Sequence, residues 1–334
     1  MPLREVGLPA NQPTLRVTIN NQFVSGVVFL QVDSDGYFSA DRFRIGLSIG
    51  SSALNTISYF VSLGMKTIEI EISTNGLGFI SIITGQIDNI NLELCKNIAI
   101  LTGRSLAARL IDNEISETFS NQTASQIAEL IATRNQLIPN VTSTSTTVGQ
   151  YYELDHARTS LGLNSRSATE WNLLSSLAKD ENFVLSVFGL TLNFGPQNSN
   201  SPVLLSPKNF VSLDFDVAAT LPKNVTVKSW NSRNKISAVQ SSGEFNGNAT
   251  TIIRPNLSSQ KCLRLASNHL SILNQHYTIL MGTLPGELSL MPGMQIILSG
   301  TDSSLDRTYY VSIVRRMLDD KAGFIEMIQA YSLN

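Results

Sequence analysis

Residues 286–331 read GELSLMPGMQIILSGTDSSLDRTYYVSIVRRMLDDKAGFIEMIQAY, and their punctuation separates three short strands. Pro292-Gly293 marks a tight turn, Gly300-Thr301-Asp302 opens a polar loop, and Asp319-Asp320-Lys321-Ala322-Gly323 makes a hairpin-like connection. Residues 294–298, 309–314 and 324–328 are left between these turns as antiparallel neighbours. This is the pattern of a compact β-barrel ending, and it holds no catalytic polar cluster.

The amino-terminal part repeats the theme. Residues 15–19 (LRVTI) alternate, Asn20-Asn21 turns, and residues 27–32 and 43–48 continue as strands around a turn at 33–36. In residues 66–72 (KTIEIEI), Glu69 and Glu71 fall on one face and Ile68, Ile70 and Ile72 on the other. Residues 79–84 and 85–94 complete a small barrel.

After Gly103 helical spacing takes over. Asn121-Gln122-Thr123 caps a helix over 124–134 with Ile127, Leu130 and Ile131 on its apolar side, and Pro139 ends it. A Thr/Ser-rich connection over 141–149 precedes a second helix from Ser167, where Ser167 and Glu170 have capping-box spacing and Trp171, Leu174, Leu177 and Ala178 share a side. Residues 182–194 form two strands about Gly189. The segment GPQNSNSPVLLSP over 195–207 reads as a linker. Beyond it come strands at 210–216 and 224–230, a polar Gly-containing excursion or flexible loop over 237–253, a helix over 259–274, and a strand over 276–284 leading into the closing barrel.

Two stretches carry a resemblance. Leu290-Met291-Pro292-Gly293 before an apolar strand, then Gly300, Asp306 and Tyr309-Tyr310-Val311, resembles the end of phage tail-hub proteins of the late control gene D family. Gly103-Arg104-Ser105 through Asp112, followed by Asn121-Gln122-Thr123 and Ile127, resembles a second motif of that family, in the same order along the chain. The resemblance spans roughly residues 15–331, with Ser105 where the family commonly has Asp and Arg315-Arg316 where a His is common. It implies a mainly β fold with an α+β middle. The expected division is a tube-like β-barrel over 1–102, an α+β domain over 103–205, and a second tube-like barrel over 206–334 with a helix-containing insertion at about 237–284.

The implied role is the structural hub of a phage or phage-like tail. Such a hub is a homotrimer whose paired barrels match a sixfold tail tube to a threefold central spike. Its implied partners are the tail tube or distal tail protein, a separate spike protein, baseplate wedge or other tail-tip proteins, and the tape measure protein, with DNA passing through the channel without specific binding. The expected place is the virion tail, assembled in the host cytoplasm. Related modules serve contractile bacteriocins, gene-transfer agents and the type VI secretion spike; with the hub laid out, no fused spike or lytic domain is expected.

Composition narrows the alternatives. The 334 residues are 42% hydrophobic, enough for several buried cores, while charged residues are 15% against about 25% in ordinary soluble domains. A weakly charged surface suits a subunit covered by partners. A net charge of −2 provides no global basic field for a phosphate backbone. Cys95 and Cys262 lack metal-ligand spacing, so a reduced protein is expected. The start, Met1-Pro2-Leu3-Arg4-Glu5, has no signal-peptide pattern, and no stretch reaches the ~20 apolar residues of a membrane span.

No catalytic, cofactor-binding or metal-ligating residue is predicted, although several candidates merit weighing. Gly46-Leu47-Ser48-Ile49-Gly50 fits the G-x-S-x-G elbow, which would make Ser48 the nucleophile of a serine esterase or cell-wall hydrolase with a base from His156, His269 or His276. No oxyanion segment or parallel βαβ rhythm accompanies it. The three histidines do not cluster, Asp33 and Asp35 before Gly36 lack the closing Glu of a calcium loop, and Gly76-Leu77-Gly78 lacks a third glycine. Glu69 and Glu71 read as a solvated strand face. Trp171 and Trp230, the basis of an alternative carbohydrate-binding reading, are expected in cores. Arg315-Arg316 would face a partner or the channel.

Overall fold

The computed structural model describes residues 4–5, 13–74, 76, 78–114, 119, 122–145, 147–148, 169–197, 202–220, 223–231, 235–244, 248–255, 257–275, 278–286, 290–321 and 323–332. The protein is mainly β, and a fourteen-stranded sheet drawn from both ends of the chain dominates it. The first third supplies β1 (Thr14–Ile19), β2 (Gln22–Val24), β3 (Val27–Asp35), β4 (Arg42–Ser48), the short α1 (Ile57–Ser62), β5 (Thr67–Ser73), β6 (Ile80–Glu93) and β7 (Ile98–Ser105). Asn20 and Asn21 both take positive φ, 48° and 64°, as the tight turn between β1 and β2 requires. Ile68, Ile70 and Ile72 are buried beside Val17, Ile45, Leu47 and Leu101 in one core.

The middle residues build α2 (Ala108–Asp112), α3 (Ala124–Arg134), β8 (Ile138–Val141), α4 (Glu170–Glu181), β9 (Val184–Phe188) and β10 (Thr191–Gly195). The three strands form a separate sheet, and the helices share a second core containing Ile127, Ile131, Trp171 and Leu174. The predicted cap is Thr123, and it forms a capping box: its hydroxyl accepts from the Gln126 amide while Gln126 accepts from the Thr123 amide. Three expectations are corrected. The helix stops at Arg134 through a turn with Gln136 at φ 58°, so Pro139 lies within β8 instead of ending α3. The cap of α4 is Thr169, and Ser167 lies outside the described residues. Glu170 turns inward, where Asn135 donates to it at 2.6 Å and Arg134 pairs with it at 3.1 Å.

The last third adds β11 (Val203–Leu205), β12 (Ser212–Val217), β13 (Asn224–Asn231), β14 (Ile236–Gly243), β15 (Ala249–Ile253), α5 (Ser259–Gln275), β16 (Thr278–Pro285), β17 (Gln295–Leu298), β18 (Thr308–Asp319) and β19 (Gly323–Ser332). The three closing strands are antiparallel neighbours, as their turns predicted. The expected linker over 195–207 contains β11, which runs parallel to β17 with Val203 and Leu205 fully buried. Three apolar residues among Pro, Asn and Ser carried too little periodicity to be seen. The expected loop over 237–253 is also corrected: β14 and β15 flank β13 in a three-stranded sheet backed by α5. This module sits between β12 and β16, which pair with each other, so it is an insertion into their ladder. Across the chain, β18 pairs with both β19 and β3, and that seam joins the closing strands to the first ones.

The motif residues of the carboxyl-terminal stretch have structural work. Asp306 accepts from the backbone amides of Gly300, Thr301 and Asp302, which shapes the loop before β18. Tyr309 is fully buried with its hydroxyl donating to the Leu305 carbonyl at 2.9 Å.

Candidate functional site: a charge-paired sheet face

Alternation on β1, β3, β4, β5 and β7 buries one face and leaves the other polar. Because the strands are in register, polar side chains line up across the sheet. One row runs Arg315–Asp33–Arg42–Arg104–Gln86–Thr67 through five successive strand pairings. Next to it, Gln31, Arg44, Thr102 and Asn89 form a second row.

The charges on this face are matched locally. Arg315 reaches Asp33 at 2.6 Å, and Arg42 lies 3.7 Å from Asp35. Arg104 pairs with Asp88 at 2.6 Å and with Asp112 of α2 at 2.9 Å, and these bonds hold its guanidinium in the charged form. Toward the edge, Arg16 is paired with Glu71, which lowers the carboxyl's proton affinity. Arg44 stacks 4.8 Å above the Phe29 ring. This face therefore combines dense hydrogen-bonding capacity with little unbalanced charge.

The second sequence motif is part of this construction. A Cβ on Gly103 would stand 2.0 Å from the Gln86 carbonyl and 2.6 Å from the Phe43 ring, so glycine permits the close approach of β6 and β7. Arg104 and Asp112, from the same motif, form one of the ion pairs.

The G-x-S-x-G match is explained without chemistry. A Cβ on Gly46 would sit 2.3 Å from the Phe29 ring, so the first glycine makes room for an aromatic lying over the strand. Gly50 has φ 82° and serves a turn. Ser48 is the last residue of an antiparallel strand, paired with Ile98, and α1 begins nine residues later, which departs from the strand–turn–helix geometry of an elbow. Among the candidate bases, His269 lies on α5 of the inserted module, whereas His156 and His276 are outside the described residues.

Other candidates also resolve. Asp33 and Asp35 serve the ion pairs above, and among the described residues no group of three His, Cys, Asp or Glu is placed to hold a metal. The arginine pair splits, as adjacent strand residues must: Arg315 lies on the polar face, while Arg316 is buried and paired with the buried Glu326 at 3.0 Å. The two tryptophans split too. Trp171 is 6% exposed in the middle core, but Trp230 is 53% exposed on the open face of the insertion, contrary to the expectation of core packing. Its neighbours Val225 and Val227 point toward α5, and the alternation sends Trp230 the other way. Cys95 is exposed and Cys262 is buried, both as free thiols.

Sequence reading missed a polar cavity of about 360 Å³ where the first, middle and closing parts meet, lined in part by Asp35, Tyr37, Asp41, Asn140, Phe194 and Arg316. Burial pushes the Asp41 carboxyl up to about 7, although the Asp35 amide donates to it at 3.0 Å, and burial raises Tyr37 to about 12. Ser48 does not line this cavity.

No protein-family model matches the chain, and no curated protein matches it. Solved structures do. A tail protein from Neisseria meningitidis superimposes with TM-score 0.74 at 15% identity, over 96% of each chain. The 43 kDa tail protein of prophage MuSo2 from Shewanella oneidensis gives TM-score 0.74 at 13% identity, over 96% of this chain and 98% of that one. An E. coli component of the type VI secretion system, described as similar to the bacteriophage T4 tail proteins gp27 and gp5, gives 0.58 at 13% identity over 97% and 77%. The chain thus has the mainly β fold found in phage tail proteins and in related components of the type VI secretion system.

Proposed function

We propose that this chain is the structural hub of a phage or phage-like tail, a homotrimer that joins a sixfold tail tube to a threefold central spike and lines the channel for DNA. The observation that carries this reading is the polar sheet face on which Arg42, Arg104 and Arg315 are matched by carboxylates. DNA is held when cations replace its condensed counterions. A wall whose guanidiniums already face Asp33, Asp35, Asp88 and Asp112 offers few free cations, so a duplex slides past it. The near full-length likeness to two tail proteins supports the same role.

In this proposal the tube-like units are the first strands around residues 14–102 and the closing strands after 206. The α+β middle braces them from outside the channel. Free sheet edges pair with neighbouring copies, a directional contact that also covers edges prone to non-specific association. The further partners are the distal tail or tube protein, the spike, the other tail-tip proteins and the tape measure protein, in the virion tail. In this reading the protein acts as a frame and not as an enzyme.

Mass photometry of the full chain, alone and co-expressed with the tube and spike proteins of its tail, tests this. Three copies per particle, with both partners retained, are expected. A chain that remains monomeric in their presence overturns the proposal.

A further inference from the structure

Charge is divided unevenly along this chain. Residues 218–277, which comprise the inserted module, contain seven Lys and Arg against one acidic residue, Glu244, whereas the remainder contains seventeen against twenty-five. A module of net charge +6 is thus attached to a body of −8. One side of the module already meets its own body: Arg264 on α5 donates to the Asp180 carbonyl near the end of α4, and Lys261 and Arg254 also act electrostatically on Asp180.

The other side is open. On the sheet face turned away from α5, Lys228 of β13 is directly opposite Val239 of β14 and Ile253 of β15, with Trp230 two residues along the same strand. Trp230 and Val239 are each 53% exposed and Ile253 is 77% exposed. The module's own core is small, built on Val225, Val227, Ala238, Cys262 and Ala266. Three adjacent strands therefore present a Trp and two β-branched residues beside one exposed lysine, an apolar patch carrying a single cation.

We propose that this open face, Trp230, Val239 and Ile253 around Lys228, docks on the acidic body of a second copy of the chain. The proposal rests on the homotrimeric reading above and assigns it a contact surface. Charge complementarity argues for a second copy, because the chain itself supplies both signs. The aliphatic residues argue against nucleic acid, since Val239 and Ile253 offer bases no stacking surface. A module bound to the neighbouring body is a heterologous contact, which closes into a ring when the rotation permits.

The test uses the full chain. Trp230→Ala, Ile253→Ser and Lys228→Glu leave the module's buried side intact, and circular dichroism verifies that each variant folds. Mass photometry titration should show the assembly constant weakened about thirtyfold by Trp230→Ala, the size of an interface hot spot. Lys228→Glu should weaken it too, and added salt should weaken the wild type. A photo-crosslinking phenylalanine analogue at position 230 should join two copies, with the partner peptide mapping outside 218–277. A ring that forms with unchanged affinity and no inter-copy cross-link overturns this inference and leaves the hub reading standing. A chain that never assembles overturns both. Binding of a fluorescent DNA duplex that Lys228→Glu abolishes, with assembly unaltered, overturns it in favour of a nucleic-acid surface.

Discussion

The buried Arg316–Glu326 pair lies on the seam that joins the closing strands to the first ones, and replacing Arg316 with Met should loosen that seam. Arg316 is 4% exposed and Glu326 fully buried, their charged atoms 3.0 Å apart, with Arg316 also donating to the Leu290 carbonyl. Register places Arg316 opposite Glu326 on β19 and opposite Val32 on β3. At an effective dielectric near 20, two charges at this separation attract by about 5 kcal/mol. Desolvation consumes much of that gain, so the pair adds little net stability. Removing one partner is different, because the buried Glu326 then loses the cation 3.0 Å from it, at a cost of about 3–5 kcal/mol. Arg316→Met should therefore destabilise by that amount at pH 7.5.

The double variant Arg316→Met/Glu326→Leu should recover most of the loss. It also removes the Arg316 Nε–H, a buried donor with no hydrogen-bond acceptor. Native-state hydrogen exchange of peptides from 308–332 reads the opening free energy of β18 and β19. A loss below about 1 kcal/mol in the single variant, or a double variant at least as unstable as the single, would refute the reasoning.

Three further outcomes follow from the same structure. Asp41 has a folded-state value of about 7, raised from an unfolded value near 3.9, so the native state binds more protons between these limits and stability falls as pH rises from about 4 to about 7. Asp41→Asn keeps an acceptor for the Asp35 amide and should flatten that slope in thermal melts, raising Tm at pH 8; equal destabilisation at pH 5 and pH 8 would contradict the assignment. Gly103→Ala drives a methyl group into the Gln86 carbonyl and Phe43, and should cost at least about 1–3 kcal/mol in urea unfolding, whereas an unchanged midpoint would show that β6 and β7 have room to separate. Acrylamide should quench a wild-type fluorescence component that Trp230→Phe removes, leaving protected Trp171 emission; two equally protected tryptophans would refute the exposed placement.

How far the sequence revealed this architecture depended on local signals. Period-two alternation around Glu69 and Glu71, paired asparagines at Asn20-Asn21 and the turns at Pro292-Gly293 and Asp319–Gly323 are short-range, and each corresponds to an observed strand or turn. Asp319 even caps its own hairpin, accepting from the Lys321 amide at 2.8 Å. By contrast, β11 owes its place to parallel pairing with β17 about ninety residues away, and nothing in Val203-Leu204-Leu205 announces that partner. The stretch 237–253 reads as a loop because it is rich in Ser, Thr, Asn and Gly, and the strand character of β14 and β15 comes from pairing with β13. Trp230 was misplaced for a related reason. Its apolar character suggested a core, while its parity with Lys228 sends it to the open face. The charge-paired row was invisible because Arg315, Asp33, Arg42 and Arg104 are far apart in sequence and meet only through register.

If the charge-paired face lines an axial channel, single-particle electron microscopy of the full chain, co-expressed with its tube and spike partners, should show a threefold ring whose inner wall is a continuous β-surface, with Asp33, Arg42, Arg104 and Arg315 facing the channel. A particle that remains monomeric with both partners present, or a ring that turns this face outward, would contradict it.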